Sequence, residues 1–427
     1  MLLLYDVIFF FFALAYLPVF LLKGKHRHGL SERFGIVPEE IREKLKGRKV
    51  FWLHAVSVGE VTLAVRFADA IRKKDAEAQM VLTTTTSAGW DVANKLKDEN
   101  DVLLYFPVDF GFAVRSFIRS VSPKAVIILE TEIWPNLMTE LSRLGIPVFI
   151  VNGRISDKGI GTYRLVRFFL RRILRCVAAI GAQDERMKER FLELGAEPGR
   201  VGVTGNLKYD WVPSDSRDAP LEDLKHRLKT GANFWLVAGS THENEEELLF
   251  ELYPALKERF PNFRLLIAPR HLERLASIEQ RAAQKNIPVK KVSSLEQNGS
   301  SDKNSEGVLL LDQMGVLAFW YQLADAVFMG GSLVPVGGHN LVEPAYFKKP
   351  ILFGPFMQNF TEMADEFQKN GAAIQVRDAK DLKQKLMELF QDKEKRERLG
   401  LAAKRLVLSH QGAVQKNIEM VFGGLKS

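Results

Sequence analysis

The chain has 427 residues, of which 46% are hydrophobic and 26% are charged. This length predicts two globular domains or three, and the composition excludes a disordered, collagen-like or disulfide-stapled chain. The chain has 60 Lys and Arg residues and 52 Asp and Glu residues, and the resulting net charge of +8 favours anionic partners. The single cysteine, Cys176, excludes an intramolecular disulfide and a cysteine-based zinc cluster, and the eight histidines show no tight metal-ligand spacing.

The first element in chain order is an apolar segment over residues 2–22, whose one charged residue is Asp6. A helix of about 21 residues spans roughly 31 Å, close to one hydrocarbon thickness. The basic run 23–28 follows, so the positive-inside rule places the rest of the chain in the cytoplasm. A cleaved signal peptide fits less well, because no charged region precedes the segment and no small-residue cleavage site follows. We predict a transmembrane anchor over residues 1–22 that takes no part in chemistry.

From residue 49 the chain alternates short apolar runs with amphipathic stretches, as in parallel sheets covered by helices on both faces. The predicted strands are 50–55, 80–84, 102–105, 125–129, 148–151, 178–181, 234–238, 264–268, 308–311, 326–329 and 350–353. Helices are expected between them, and residues 379–426 are predicted to be wholly helical.

The proline- and serine-containing stretch 211–220 is interpreted as a linker, and the polar stretch 297–306 as a surface loop. The expected fold class is therefore α/β, with an N-terminal domain over 23–210 and a C-terminal domain over 221–427. Two such domains are expected to bind ligands between them, at the carboxyl ends of their strands.

Charged residues follow the predicted strands of the first half, where such folds place their ligands. Glu60 opens a helix after a glycine-containing turn, and is either a general base or a partner of the helix N-terminus. Glu130 and Glu132 directly follow an apolar strand; the alternative to a chemical role is that Thr131 caps the next helix. Lys208 precedes the predicted linker, and either binds a ligand or is an ordinary surface lysine.

Glycine-rich turns follow the predicted strands of the second half, at 238–243, 330–332 and 337–344, and a proline–arginine turn lies at 267–271. Glycine lets backbone N–H groups approach a phosphate, and a helix N-terminus adds partial positive charge. A glutamate one turn into a helix is suited to accept both hydroxyls of a ribose. Several such turns in one domain predict a nucleotide site. Neither GxxxxGK[ST] nor D-x-D occurs, so kinase-like or metal-bridged phosphate binding is not indicated.

A basic amphipathic helix is predicted over residues 163–176, with the sequence YRLVRFFLRRILRC. Four arginines at spacings of three and four share one face of that helix: Arg164, Arg167, Arg171 and Arg175. This arginine stripe either meets the membrane surface and lipid phosphates, or is the solvated face of a packed helix. Because an anchor is expected to hold the chain at the bilayer, we favour the lipid-facing interpretation.

Seven blocks, HAVSVGE, ETEIWPN, NGRISDK, GNLKYD, AGSTHENEE, APRH and GGHNLVEPA, resemble those of the 3-deoxy-D-manno-octulosonic acid (Kdo) transferases of lipopolysaccharide biosynthesis, in the same order. With the N-terminal anchor, the resemblance covers essentially the whole chain. It implies a GT-B glycosyltransferase, with two Rossmann-like domains facing a cleft. That enzyme moves Kdo from CMP-Kdo to a lipid A precursor (lipid IVA), with inversion and without a metal or cofactor. The resemblance also implies a location on the cytoplasmic side of the inner membrane.

Carried over by motif, the resemblance assigns Glu60 as general base, and Glu130 and Lys208 as residues that assist the transition state. It assigns nine residues to the binding of CMP: Pro269, Arg270, Met314, Gly315, Val316, Asn340, Leu341, Val342 and Glu343.

Two rival interpretations remain. One is another nucleotide-sugar enzyme of the same fold, such as a UDP-sugar transferase or epimerase, although the predicted anchor argues against a soluble epimerase. The other is a non-enzymatic membrane-surface binding protein, which leaves the strand-end carboxylates unexplained. RNA-binding signatures and helix-turn-helix spacing are not evident, so no nucleic-acid partner is expected.

Overall fold

The structure is a computed structural model that describes residues 5–11, 14–15, 29–210, 234–297 and 307–425. The chain divides into two compact units. The first unit comprises Met1–Asp210 together with Gln411–Ser427, and the second comprises Trp211–His410. Each unit is built around one parallel sheet of seven strands.

The strands are β1 Lys49–His54, β2 Ala78–Thr84, β3 Val102–Tyr105, β4 Ala125–Leu129, β5 Val148–Gly153, β6 Val177–Ala182, β7 Val201–Val203, β8 Phe234–Thr241, β9 Phe263–Pro269, β10 Val289–Lys291, β11 Val308–Leu310, β12 Ala326–Met329, β13 Ile351–Phe353 and β14 Ile374–Gln375. The helices are α1 Leu30–Arg33, α2 Glu39–Leu45, α3 Val58–Lys74, α4 Ser87–Leu96, α5 Gly111–Val121, α6 Pro135–Arg143, α7 Asp157–Leu165, α8 Arg167–Leu174, α9 Glu185–Glu193, α10 Glu245–Arg259, α11 Leu275–Gln284, α12 Val292–Gln297, α13 Leu317–Leu323, α14 Val342–Tyr346, α15 Thr361–Lys369, α16 Ala379–Gln391, α17 Lys393–His410 and α18 Ala413–Gly424.

The sheet of the first unit has the order β3-β2-β1-β4-β5-β6-β7, and that of the second has the order β10-β11-β9-β8-β12-β13-β14. Both sheets are buried on both faces, which explains why their central strands are continuous apolar runs. In β1, Trp52 faces one core cluster of the first unit and Phe51 faces the other. The prediction of two parallel, Rossmann-like domains is confirmed.

Each of the eleven predicted strands coincides with an observed one, within three residues at either end. The sequence analysis missed β7, β10 and β14, which have two or three residues each and lie at sheet edges. Segments this short contain too few residues to show the alternating apolar pattern of a strand. A strand at the edge of a sheet also does not require that pattern.

The C-terminal end is almost wholly helical, as predicted, but its last helix belongs to a different unit from the one expected. Residues 379–424 form three helices, and the last of them, α18, belongs to the first unit. Ile418 and Val421 on α18 are buried in the same core cluster as Phe149. The division of the chain therefore departs from the predicted second domain, 221–427, because the apolar face of α18 covers the sheet of the first unit.

Asp210 fixes the start of α18. Its Oδ1 accepts the N–H of Gly412 at 2.7 Å, and its Oδ2 accepts the N–H of Val414 at 2.5 Å. Gly412 has a φ of 93°, a conformation that favours glycine and turns the chain into the helix. One carboxylate thus ties the end of the first segment of this unit to its last helix.

The predicted anchor over residues 1–22 falls largely outside the described residues, as do the predicted linker 211–220 and nearly all of the loop 297–306. Residues 5–11 are helical. Among the helices that the structure describes, none is long and apolar enough to cross a membrane.

Asp210→Ala should destabilise the first unit by about 0.5–2 kcal/mol, the range for losing a carboxylate cap, because two backbone donors lose their acceptor. Calorimetric unfolding measures the effect, with Asp91→Ala as the matched control on the exposed face of α4. Equal melting temperatures for the two variants would contradict the role given to Asp210.

Candidate active site

Glu60 lies in the first turn of α3, just beyond the carboxyl end of β1. Ser57 caps the helix by accepting the Glu60 N–H at 3.2 Å, and the Glu60 Oε2 accepts the Val56 N–H at 2.9 Å. This reciprocal pair is a capping box. Glu60 is therefore a partner of the helix N-terminus, as one of the two interpretations predicted. The same hydrogen bonds hold its half-buried carboxylate at the edge of the sheet, where the other interpretation also requires it.

Glu130 directly follows β4, and its backbone is in the left-handed region, at a φ of 59°. That conformation is uncommon for a non-glycine residue and is held by the Glu130 N–H, which donates to the Val151 carbonyl at 2.9 Å. Thr131 does not cap the next helix, as one interpretation of the sequence had it. Its hydroxyl donates to the Arg154 carbonyl at 2.6 Å and accepts the Arg154 N–H at 3.1 Å. These two bonds join the loop after β4 to the residue that follows the neighbouring strand β5.

Lys208 lies beside Glu130, although 78 positions separate them in the sequence. The distance from the Lys208 Nζ to the Glu130 Oε1 is 3.8 Å, and each side chain is only about one-fifth exposed. Lys208 belongs to a short 3-10 turn, Leu207–Asp210, whose first N–H donates to the Asn152 Oδ1 at 3.0 Å. The structure thus brings two of the three predicted catalytic residues into one ion pair.

Glu132 is a third carboxylate of this site, which the sequence analysis noticed but did not select. Burial is the largest cause that raises its pKa to about 7, and the negative charges of Glu60 and Glu130 contribute to the same rise. The same charges show that all three carboxylates lie near one another at the edge of the sheet. The signal in the sequence was present, since both glutamates directly follow a buried strand.

The N-terminal helical residues contact the helix that follows this loop. Asp109 caps α6 by accepting the N–H groups of Asn136 and Leu137 at 3.0 and 2.9 Å, and burial raises its pKa to about 7. The Asn136 amide donates to Asp6 at 2.6 Å, and the ring of Tyr5 stacks on Phe169 with centroids 6.0 Å apart. The start of the predicted anchor therefore packs behind the Glu130 loop.

The residues assigned to nucleotide binding lie at the carboxyl edge of the second sheet. Arg270 is exposed directly after β9, and its N–H donates to the Thr241 carbonyl at 3.0 Å. Met314 is 68% exposed and precedes Gly315, whose φ is 79°. The half-buried Glu343 lies one residue into α14, and its charge helps to raise the pKa of the buried Tyr321, although burial is the larger cause.

Several of these residues offer a ligand only their backbone. The buried members of the set are Pro269, Leu341 and Val342. The side chains accessible at this edge are those of Arg270, Met314, Asn340 and Glu343, and the Asn340 Oδ1 accepts the Val342 N–H at 3.0 Å. Val316 is half-buried and immediately precedes α13.

One glycine turn does not have the role that its composition suggested. The N–H groups of Gly331, Ser332 and Leu333 donate to the buried carboxylate of Glu245 at 2.7, 3.0 and 2.9 Å. The His242 N–H donates to the same carboxylate at 3.0 Å. These donors are already used inside the protein, so this turn does not offer them to a phosphate.

The arginine stripe is not one helical face. The predicted helix over 163–176 is broken, since α7 ends at Leu165 and α8 begins at Arg167, with Val166 at a φ of −106° between them. The break lets Ile160 before it and Leu170 after it join the same core cluster. All four arginines remain exposed.

The surroundings of the stripe are partly apolar. Leu165 is 88% exposed and Phe168 is 79% exposed, on either side of the break. Arg164 is bound in an ion pair with Glu193, at 2.5 Å from Nε to Oε1. Among the described residues, no group of three or more His, Cys, Asp or Glu side chains is placed to hold a metal ion.

Comparison with known proteins covers both units. Residues 28–211 match a family described as 3-deoxy-D-manno-octulosonic-acid transferase (kdotransferase), and residues 222–406 match glycosyl transferases group 1. A 3-deoxy-D-manno-octulosonic acid transferase of Haemophilus influenzae is 31% identical over 93% of this chain and 91% of its own length. A bifunctional glycosyltransferase/methyltransferase of Fusobacterium nucleatum is 34% identical over 79% of this chain, which spans only 52% of that protein.

Among solved structures, the UDP-GlcNAc 2-epimerase of Neisseria meningitidis bound to UDP-GlcNAc resembles the fold with a TM-score of 0.56. It covers 88% of this chain and 99% of that one at 12% identity, so the likeness concerns the fold alone. With the group 1 match, it confirms the prediction of two Rossmann-like domains of GT-B type.

Glu245→Ala should lower the free energy of unfolding of the second unit by about 3 kcal/mol or more, because four backbone donors lose a charged acceptor. For a unit of this size the melting temperature should fall by roughly 6 °C or more. Glu258→Ala, on the exposed face of the same helix, is the matched control. A melting temperature within 1 °C or so of the control would remove the structural role of Glu245.

Proposed function

The chain belongs to the Kdo transferase family and transfers Kdo in lipopolysaccharide biosynthesis, and we propose that it moves Kdo from CMP-Kdo to a lipid A precursor with Glu60 as the general base. The observation that carries this assignment of roles is the cluster of Glu60, Glu130, Glu132 and Lys208 at the carboxyl edge of one sheet.

The acceptor is a sugar hydroxyl, which is a poor nucleophile until its proton is removed. A positioned carboxylate contributes about 10²–10⁴-fold to such a step. Glu60 supports this role because only its Oε2 has a hydrogen bond in the capping box, which orients the carboxylate at the helix start. The pKa of Glu132 is raised to about 7, mainly by burial, so we propose that it can hold the displaced proton close to Glu60.

Departure of CMP gives the ketosidic carbon of Kdo positive, oxocarbenium character, beside the carboxylate of the sugar. The Glu130–Lys208 pair carries one charge of each sign at the same edge. We propose that Glu130 stabilises the developing positive charge and that Lys208 offsets the anionic group next to it. The strained backbone of Glu130 supports this, because such conformations persist where surrounding structure holds a side chain for use.

The donor is assigned to the second unit. CMP leaves as a phosphate monoester and needs cationic groups and hydrogen-bond donors rather than a proton. Arg270 supplies a guanidinium at the end of β9, and Glu343 is suited to accept the ribose hydroxyls. The turn of Met314, Gly315 and Val316 and the backbone near Pro269, Leu341 and Val342 frame the same edge of the sheet, with Asn340 beside them.

The lipid side of the reaction is assigned to the surface around the break between α7 and α8. Exposed Leu165 and Phe168 supply apolar contacts, and the arginine stripe supplies charge for acidic headgroups or the phosphates of the acceptor. The apolar segment 2–22 and the basic run after it support an anchor in the inner membrane with both units on the cytoplasmic side.

Mass spectrometry of the lipid after incubation with CMP-Kdo tests the reaction as a whole. The expected product gains one or more Kdo residues and CMP is released. A nucleotide panel tests the donor separately, since CMP and not UMP or UDP should raise the melting temperature of the protein. Stabilisation by UDP and not by CMP would favour a UDP-sugar enzyme instead.

Glu60→Gln should lower the rate of transfer by about 10²–10⁴-fold at saturating substrates, because the amide cannot take a proton. The amide oxygen still accepts the Val56 N–H, so folding and CMP affinity should be retained. Glu77→Gln, on an exposed turn of the same unit, is the control for loss of one charge. Near-normal turnover by the Glu60 variant would transfer the base role to another residue.

Changing Arg164, Arg167, Arg171 and Arg175 together to Gln should raise the Michaelis constant for acceptor in micelles of acidic lipid. The constant for CMP-Kdo should not change. Each arginine near an anionic surface contributes about 1 kcal/mol, so the set matters more than any member. Added salt should mimic the change in the parent protein and have little effect on the variant.

The control for that experiment removes the same four charges from the second unit. Exposed residues suited to it are Lys380, Lys393, Arg398 and Arg405, each changed to Gln. If both quadruple variants behave alike toward the acceptor, the stripe is an ordinary solvated surface.

A further inference from the structure

Two histidines from distant parts of the second unit meet above the sheet edge. His242 follows β8, and His339 lies in the glycine loop before α14. Their Nε2 atoms are 2.9 Å apart, and the rings are nearly parallel, with an interplanar angle of 10°. At that distance one ring must donate a hydrogen to the other, so the pair holds one shared proton between two nitrogens. The catalytic roles proposed above use neither residue.

A glycine, Gly331, leaves the space in which the two histidine rings meet. Gly331 has a φ of +65°, and a Cβ there would lie 3.2 Å from the Cδ2 of His242 and 3.3 Å from the ring of His339. The Gly331 N–H is already bound to Glu245, which also accepts the N–H of His242. This glycine therefore makes room for the histidine pair rather than for a phosphate.

The charged groups that face the pair are two arginines after β9, Arg270 and Arg274, and two acids at the start of α10, Glu245 and Glu246, with the ring of His271 beside them. Both acids are bonded within the protein, Glu245 by four backbone N–H groups and Glu246 by a bidentate ion pair with Arg274 at 2.9 and 3.0 Å. Arg270 is exposed at the same edge and supplies positive charge that favours an anion.

Burial is the largest cause that keeps the pair neutral in the free protein. The pKa of His339 is lowered to about 4 by burial, together with His242, Arg270 and His271. The pKa of His242 is lowered by burial and by His271, while Glu246 acts in the opposite direction. An anion placed among these groups would reverse the balance, because it favours the protonated imidazole.

We propose that His242 and His339 bind the phosphate of the donor together with Arg270, and that the pair takes up one proton from solvent as the phosphate binds. This inference rests on the proposed binding of CMP by the second unit. The protonated pair carries one positive charge and has an N–H to donate to a phosphate oxygen.

The proton matters most during transfer. As the bond between the ketosidic carbon and the phosphate oxygen breaks, its electron pair passes to that oxygen, and the charge of the phosphate changes from −1 to −2. The hydroxyl of the acceptor forms the new bond to carbon and gives its proton to the general base. A protonated histidine pair then faces a dianion, so it stabilises the leaving group more strongly than the bound donor.

Proton uptake makes CMP binding dependent on pH. The pair has a low pKa in the free protein and a raised pKa in the complex. Affinity for CMP is therefore highest at low pH and falls as pH rises through the pKa of the complex. The phosphate of CMP has a second ionisation near pH 6, and its loss of a proton on binding has the opposite sign. Measurements at pH 7.5 make that second contribution small.

Isothermal titration calorimetry of the full chain with CMP, in two buffers of different ionisation enthalpy at pH 7.5, counts the protons. The parent protein should take up as much as one proton per CMP bound, and cytidine should cause no uptake. His339→Gln and His242→Gln should each abolish the uptake and weaken CMP binding by roughly tenfold or more, as expected for a lost charged hydrogen bond. His410→Gln, a half-buried histidine of the same unit paired with Glu366, should change neither quantity.

The outcomes distinguish a failure of the proposed CMP donor from a failure of the proposed role of the histidine pair. If the parent does not bind CMP, the proposed function fails at its donor. If the parent binds CMP without proton uptake, or with the same uptake in both histidine variants, the role of the pair is wrong while the donor assignment stands. Thermal unfolding identifies a variant that has not folded, and the other histidine variant then decides.

Discussion

Every strand of a sheet in this protein runs in the same direction, so every strand of a unit delivers its following loop to one edge. This constraint gathers residues that are far apart in the sequence. It places Glu60, Glu130 and Lys208 near one another in the first unit, and His242, Arg270 and His339 in the second. The proposed chemistry therefore requires the parallel direction of the strands, because that direction brings the side chains together.

Buried acids hold these loops in place. Asp109 caps α6 behind the Glu130 loop, and Glu245 accepts four N–H groups behind the histidine pair. A buried carboxylate is costly unless it is fully bonded, so each of these acids fixes the backbone around it. Glu60 differs because its second oxygen is not part of the capping box. Asp109 and Glu245, which hold the backbone, therefore differ from Glu60, for which we propose a chemical role, in how completely their carboxylate oxygens are hydrogen-bonded.

The positions of the central strands could be predicted from the sequence because runs such as Ala125–Leu129 are fully buried on both faces. The break at Val166 could not, since the arginine spacing is compatible with one helix and only core packing favours two. The last helix had the same limit: the apolar face of α18 gives no indication of which sheet it covers. Motifs selected the candidate site residues, but their hydrogen-bond partners could not be predicted from the sequence. Glu245 shows this, because three of its four partners lie 86 to 88 positions away.

The two units differ in the charge that they present at the sheet edge, and this difference fits the two halves of a glycosyl transfer. Three carboxylates in the first unit disfavour a phosphate but suit the removal of a proton and the stabilisation of a cationic carbon. The second unit places arginines and histidines at its edge, while its nearby acids are satisfied internally. Electrostatics alone would therefore direct the anionic nucleotide to the second unit and the hydroxyl acceptor to the first.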